Sequence, residues 1–342
     1  MKTITFGEIL LRLSTPGFKR FIQTDSLDVT YGGGEANVAV SLANYGFDSC
    51  FVSKLPSHEI GRAARNHLRR FGVSDRYLVE GGDRVGIYFL ETGASQRSSK
   101  VVYDRASSAI TTLAENELDT DTIFEGASWF HWSGITPALG PEPSRTLLSL
   151  CRSAKKAGVS VSCDLNFREK LWTTQEAQQV MRPLMEYVDV CIANEEDAQK
   201  SLGLEVANSN IEGAELDEAA YADLAKRLKK EFGFSAVAIT LRESHSASQN
   251  GWSALMLDEK ECTQPYRSTR YEIQIVDRVG GGDAFAGGLI AGLLKKSSTK
   301  EALEFAVAAS CLKQTIPGDF NLVSEREVDR LMTGSGSGRV ER

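Results

Sequence analysis

Short runs of β-branched and aromatic residues recur along the chain, at Ile4 to Phe6, Ile9 to Leu13, Phe51-Val52, Val159 to Cys163, Val188 to Ala193 and Ala236 to Thr240. Several are separated by stretches with apolar positions at helical spacing, such as Arg145 to Ala157 and Tyr221 to Glu231. Strands alternating with helices predict βαβ units around a mainly parallel central sheet, an α/β fold. Residues 12–31 and 84–105 break that rhythm. They are rich in Val, Tyr, Phe, Thr and Ser and alternate apolar with polar in Val85 to Leu90 and in Lys100 to Tyr103. Gly93-Ala94-Ser95 lies between the latter pair as a hairpin turn, so a small antiparallel sheet, standing off the body as a lid, is expected. Edge strands of the main sheet are the plainer alternative. Gly334-Ser335-Gly336-Ser337-Gly338 has linker composition and predicts a flexible tail over 333–342, after a single domain over 1–330.

Composition narrows the function. The chain has 342 residues, 42% hydrophobic and 25% charged, ordinary globular usage that excludes disordered and fibrous classes. With 39 basic against 46 acidic residues the net charge is −7, which argues against nucleic acid as a partner. No apolar run approaches the ~18 residues of a membrane span, and the amino terminus has no secretory apolar core, so a cytoplasmic location and no membrane partner are expected. Cys50, Cys151, Cys163, Cys191, Cys262 and Cys311 form no C-x-x-C and read as reduced core cysteines. His58, His67, His131 and His245 supply no zinc motif.

The most informative stretch is Asp277-Arg278-Val279-Gly280-Gly281-Gly282-Asp283-Ala284-Phe285-Ala286-Gly287-Gly288. A strand-like segment, Tyr271 to Val276, precedes it, and an apolar helix pattern, Ala284 to Leu294, follows. A glycine run opening a helix leaves backbone N–H groups unpaired at the positive end of the helix dipole, where phosphate or an oxyanion is favoured. Asp283 in the first turn would take a proton from an attacking hydroxyl while the Gly280, Gly281 and Gly282 amides steady the transferring phosphoryl group. A helix-capping Asp is the plainer alternative. The chain contains no Gly-Lys dipeptide, hence no Walker A motif, and no G-x-G-x-x-G follows the first strand, which disfavours a Rossmann oxidoreductase.

That stretch resembles the carboxy-terminal signature of the ribokinase-like (phosphofructokinase-B type) carbohydrate kinases. Tyr31-Gly32-Gly33-Gly34-Glu35-Ala36-Asn37-Val38-Ala39 resembles their amino-terminal G-G-x-x-N signature, and the likeness runs over roughly residues 1–330. Tyr103 to Ala109, Asp164-Leu165-Asn166-Phe167-Arg168 and Pro317-Gly318-Asp319 are similar to the branch acting on 2-keto-3-deoxygluconate. The resemblance implies a three-layer core with a β lid, ATP and Mg²⁺, room for a monovalent cation, and transfer to a primary hydroxyl. It differs at Arg278, where the family often has Thr, at Thr240-Leu241-Arg242-Glu243-Ser244, and at Asn194-Glu195-Glu196-Asp197.

On the sugar side the resemblance implies Gly33, Gly34, Asn37, Tyr88, Tyr103, Arg105, Arg168, Asp283 and Asp319. A guanidinium fork suits a carboxylate, so Arg105 is the expected discriminator between a sugar acid and neutral fructose or ribose, the alternative substrates. Arg168 would serve the carboxylate or the phosphoryl group. Nucleotide contacts are expected from Asn166, Arg168, Asn194, Thr240, Arg242, Gly280 and Gly282, with Glu195 and Asp197 meeting magnesium through water. A lid with apolar faces implies a homodimer or higher homo-oligomer. A catalytically silent sugar-acid sensor is the competing class, disfavoured because a sensor needs no base.

Overall fold

Val190-Cys191-Ile192-Ala193 is apolar at every position, and in a computed structural model of the chain all of it is a buried strand. The structure describes residues 1–205, 218–258 and 264–334. Cys191 and Ala193 face one helical layer and Val190 and Ile192 the other, the period-two result of a strand covered on both sides. Pro141–Lys156, Thr174–Leu184 and Glu218–Phe232 lie on the first face; Gly34–Asn44, Gly281–Lys295 and Thr299–Lys313 lie on the second. Fully buried Phe285 and Phe305 each contribute about 1.5–3 kcal/mol of apolar burial to the second layer.

The main sheet has ten strands. Their order is Tyr266–Arg267, Gln249–Asp258, Ala236–Ser244, Val190–Ala193, Ser160–Asp164, Ala127–Ser133, Lys2–Phe6, Asp48–Leu55 and Leu78–Glu80, with Tyr271–Gln274 also paired to Gln249–Asp258. Pairing is parallel from Ala236–Ser244 across to Leu78–Glu80, and antiparallel only around Gln249–Asp258. The expected three-layer, mainly parallel α/β architecture is therefore present. Phe6, Ser133, Asp164 and Ala193 end parallel strands on one edge, where α/β sheets gather ligand groups.

A separate four-stranded sheet stands beside that edge, in the order Asp28–Gly32, Leu10–Ser14, Ile87–Glu91, Lys100–Asp104. The expectation of an antiparallel sheet needs correction. Leu10–Ser14 runs antiparallel to Asp28–Gly32 but parallel to Ile87–Glu91. Alternation reports one-sided burial, not strand direction, and the chain crosses the main sheet at Asp48–Leu55 before it returns. The connection over 92–99 is wider than a two-residue turn: Ala94 bridges Arg97, and Ser95 takes φ +52°.

Cys50, Cys151, Cys163, Cys191 and Cys311 are buried and unbridged. Cys262 and residues 335–342 of the expected tail lie outside the described residues. Among the described residues no helix is long and apolar enough to cross a membrane.

Candidate active site

The helix Gly281–Lys295 begins on Gly280, which has φ +81° and whose missing side chain matters: a Cβ there would stand 2.1 Å from the Asp319 carbonyl oxygen. Only glycine takes that conformation without strain. Gly281 N–H closes the turn on Arg278 C=O at 3.3 Å, and Ala284 N–H begins the helical ladder on Gly280 C=O at 2.8 Å. Among the described residues, the amides of Gly280, Gly282 and Asp283 have no protein acceptor. Of the three glycine amides expected to bind an anion, Gly281 is thus spoken for, and Asp283 N–H joins Gly280 and Gly282 as a free donor.

Asp283 sits in that first turn, partly buried on the wall of the cleft. Burial pushes its pKa up to about 6, opposed by the hydrogen bond that Asn37 Nδ2 donates to its Oδ2 at 2.6 Å. Asn37 is fixed in turn, because its Oδ1 accepts the Gly33 N–H at 3.2 Å. The two glycine segments therefore meet: a Cβ on Gly34 would lie 3.6 Å from the Asp283 carboxylate.

All of the residues expected in the site line one cleft of about 1540 Å³ between the two sheets: Gly33, Gly34, Asn37, Tyr88, Tyr103, Arg105, Asn166, Arg168, Asn194, Glu195, Asp197, Thr240, Arg242, Gly280, Gly281, Gly282, Asp283 and Asp319. Within it they differ in how free they are. Arg105 Nε donates to Glu8 Oε2 at 2.9 Å, and that pair is nearly buried. Arg168 spans only to its neighbouring Phe167 C=O at 3.0 Å. Among the described residues neither Arg168 nor Arg242 has a carboxylate partner, so both are available to an anion. Tyr103 is exposed, with the Arg105 guanidinium 5.5 Å and the Lys170 ammonium 5.9 Å from its ring centroid. Tyr88 is buried and donates to the Asp319 carboxylate at 2.6 and 2.7 Å. Asp319 also receives Arg12 Nη1 at 2.6 Å, so its carboxylate is already engaged.

On the other side, Asn194 caps the helix Glu195–Leu202 by accepting Asp197 N–H at 2.8 Å. Asp197 accepts Phe167 N–H at 3.0 Å, and burial pushes its pKa up to about 6 against the pull of Arg168. Asp164 is raised well above the usual carboxylate range, chiefly by burial and then by Asp197 and Asp283. Asn166 holds φ +37° at this strand end, its Nδ2 3.5 Å from Asp164. Among the described residues no group of three or more acidic, His or Cys side chains is set to chelate a metal.

The sequence reading missed the residues beneath this floor. Glu35 is fully buried and accepts from Ser133 N–H at 3.0 Å, Ser133 Oγ at 2.7 Å and Thr136 Oγ1 at 2.8 Å. Arg12 bonds both Asp277 and Asp319, and Lys313 lies under the glycine loop. Glu35 stands inside the quoted signature and was legible there; the others come from distant segments.

Gly280→Ala is expected to lower stability by more than about 1 kcal/mol in a urea melt. Gly282→Ala, whose Cβ would enter open cleft space, should leave the melt unchanged and raise KM for ATP. An unchanged melt for Gly280→Ala would contradict the close approach to Asp319.

The model of the pfkB family carbohydrate kinases matches residues 4–324. The chain is 54% identical to the 2-dehydro-3-deoxygluconokinase of Thermotoga maritima, whose crystal structure it matches with a TM-score of 0.93 over 98% of this chain and 100% of that one. It is 34% identical to the 2-dehydro-3-deoxygalactonokinase of Haloferax volcanii over 98% of each chain. The 2-dehydro-3-deoxygluconokinase of Bacillus subtilis is 27% identical over 96% of this chain and 94% of that one. With the family pattern matched over residues 4–324 and the two glycine segments meeting at Asp283, the chain belongs to the pfkB family of carbohydrate kinases.

Proposed function

We propose that this kinase transfers the terminal phosphoryl group of Mg²⁺-ATP to the terminal hydroxyl of 2-keto-3-deoxygluconate, giving 2-keto-3-deoxy-6-phosphogluconate. The observation that carries it is a partly buried carboxylate, Asp283, held by Asn37 beside free helix-end amides in a cleft that also holds Arg105 and Arg168. Asp283 takes the hydroxyl proton as the oxygen attacks phosphorus; the bond to the ADP oxygen breaks, and the Gly280, Gly282 and Asp283 amides bear the charge on the moving group. Glu195 and Asp197 would meet, through water, the magnesium bound to the triphosphate, which would neutralise its charge. Arg168 and Arg242 meet the phosphates from the strand ends.

The preference for the acid over neutral fructose or ribose is assigned to Arg105, whose Nε and Nη2 are held by Glu8 and whose Nη1 is left to meet a carboxylate in the cleft. Names of relatives that specify the gluconate and the galactonate acid support a sugar acid in either configuration. The small sheet is read as a lid over residues 12–31 and 84–105, and exposed Val29 and Val102 support pairing of two copies through it. A cytoplasmic location fits ATP dependence and unbridged cysteines.

A coupled ADP-release assay over both acids, fructose and ribose tests the substrate. Turnover of fructose or ribose equal to the acids would end the arginine argument. Arg105→Met is expected to cost about 2–5 kcal/mol in kcat/KM for the acid, carried mainly by KM, and much less for a neutral sugar. Equal loss on both substrates would mean damaged folding instead.

A further inference from the structure

Lys313 is fully buried at the end of the helix Thr299–Lys313, and no step of the proposed reaction uses it. Its Nζ donates to the Asp277 carbonyl at 3.2 Å and to the Val279 carbonyl. A desolvated lysine is costly unless its charge is answered. Burial pulls this ammonium's pKa down, while the Asp277 and Asp319 carboxylates pull it back up. The same helix end grips the loop elsewhere. Gln314 C=O accepts Val276 N–H at 2.9 Å and Asp277 N–H at 3.1 Å, and Ser310 Oγ donates to Gly281 C=O at 2.7 Å.

The consequence follows from peptide geometry. In a trans peptide the C=O and the next N–H point in opposite directions. Drawing the Val279 carbonyl down onto Lys313 turns the Gly280 N–H up and away from it, and that amide has no protein acceptor among the described residues. A positive charge directly behind the loop also strengthens its pull on an anion.

We propose that Lys313 is a positioning residue for phosphoryl transfer, its ammonium acting as a cation built into the chain that aims the Gly280 amide at the moving phosphoryl group. The proposal rests on the reading of Asp283 and its amides as the transfer site. Its test uses whichever acceptor the parent enzyme turns over, so failure of the sugar-acid assignment and failure of this proposal are separate results.

Lys313→Met keeps the volume and removes the charge. It is expected to bind one equivalent of ADP, to hold both KM values within a few-fold, and to lose kcat by about 10²–10³-fold. Lys313→Ala empties the position that n-propylammonium can fill. With one equivalent of ADP bound and no amine present, Lys313→Ala should still be folded. Adding the amine should then raise its kcat at least ~10-fold, an order of magnitude set by part-recovery of one oxyanion-hole donor, while leaving the parent unaffected. Lys313→Met with kcat within about threefold of the parent would overturn the proposal, since a lost donor costs far more. So would Lys313→Ala that binds ADP yet gains nothing from amine. Variants that bind no ADP, or bind it only with amine present, would make Lys313 a structural residue alone and overturn it equally.

Discussion

Asp283→Asn is expected to abolish turnover while ATP affinity stays within a few-fold of the parent. Loss of a general base costs about 10²–10⁴ in rate, and the amide cannot accept the hydroxyl proton at neutral pH. The change keeps the shape and keeps an oxygen for Asn37 Nδ2, which now bonds the carboxylate at 2.6 Å. A second, opposite effect should accompany it. Burial raises the Asp283 pKa to about 6, above the ordinary Asp value, so the folded state binds more protons than the unfolded state between those two values. Stability contributed by this group therefore falls as pH rises through that window, and at neutral pH the charged form costs on the order of 3 kcal/mol. Asp283→Asn should thus melt higher than the parent at pH 7.5 and lose that advantage near pH 4. In the parent, kcat/KM should drop about tenfold per pH unit below about 6, as the base is protonated. Retained turnover in the variant would remove the base assignment.

The parts of this site that were legible in the sequence are those written locally. A glycine run entering an apolar helix announces unpaired amides whatever the rest of the fold does, and Asp283 is fixed by its place in that first turn. Short β-branched and apolar runs marked the strands of the main sheet, and alternation those of the small one. What alternation could not carry was direction, which is why the small sheet is mixed rather than antiparallel. The floor under the loop was harder still. Arg12 and Asp319 are separated by 307 positions, and only the tertiary fold makes them partners. Lys313 carried a faint signal: it closes the run Phe305-Ala306-Val307-Ala308-Ala309-Ser310-Cys311-Leu312, a helix apolar all round, where a lone charge must be buried with a partner. Arg105 was legible as a cleft residue but not as the partner of Glu8, because Glu8 lies in the link between the first two strands, 97 positions away.

Arg12→Met is expected to be the most damaging change outside the catalytic group. Arg12 is almost wholly buried in the strand Leu10–Ser14 of the small sheet, and it reaches Asp277 at 2.5 Å and Asp319 at 2.6 Å on the core. Its Nε is used as well, donating to Ser14 Oγ at 2.7 Å. Removing one side of a buried ion pair costs about 3–5 kcal/mol, because the charge left behind stays desolvated and unanswered. Here two carboxylates are left, with the Lys313 ammonium already committed to main-chain carbonyls. The damage should reach turnover, since the Asp319 main chain packs against Gly280 and Asp277 Oδ2 accepts the Gly318 N–H at 3.0 Å. A denaturant midpoint well below that of the parent, with lower kcat in the fraction still folded, is the expected result. Neutralising the orphans, as Arg12→Met with Asp277→Asn and Asp319→Asn, should recover most of the stability, because what harms the single variant is uncompensated charge rather than lost volume. A single variant that melts with the parent would mean the two sheets are held together by their apolar contacts alone.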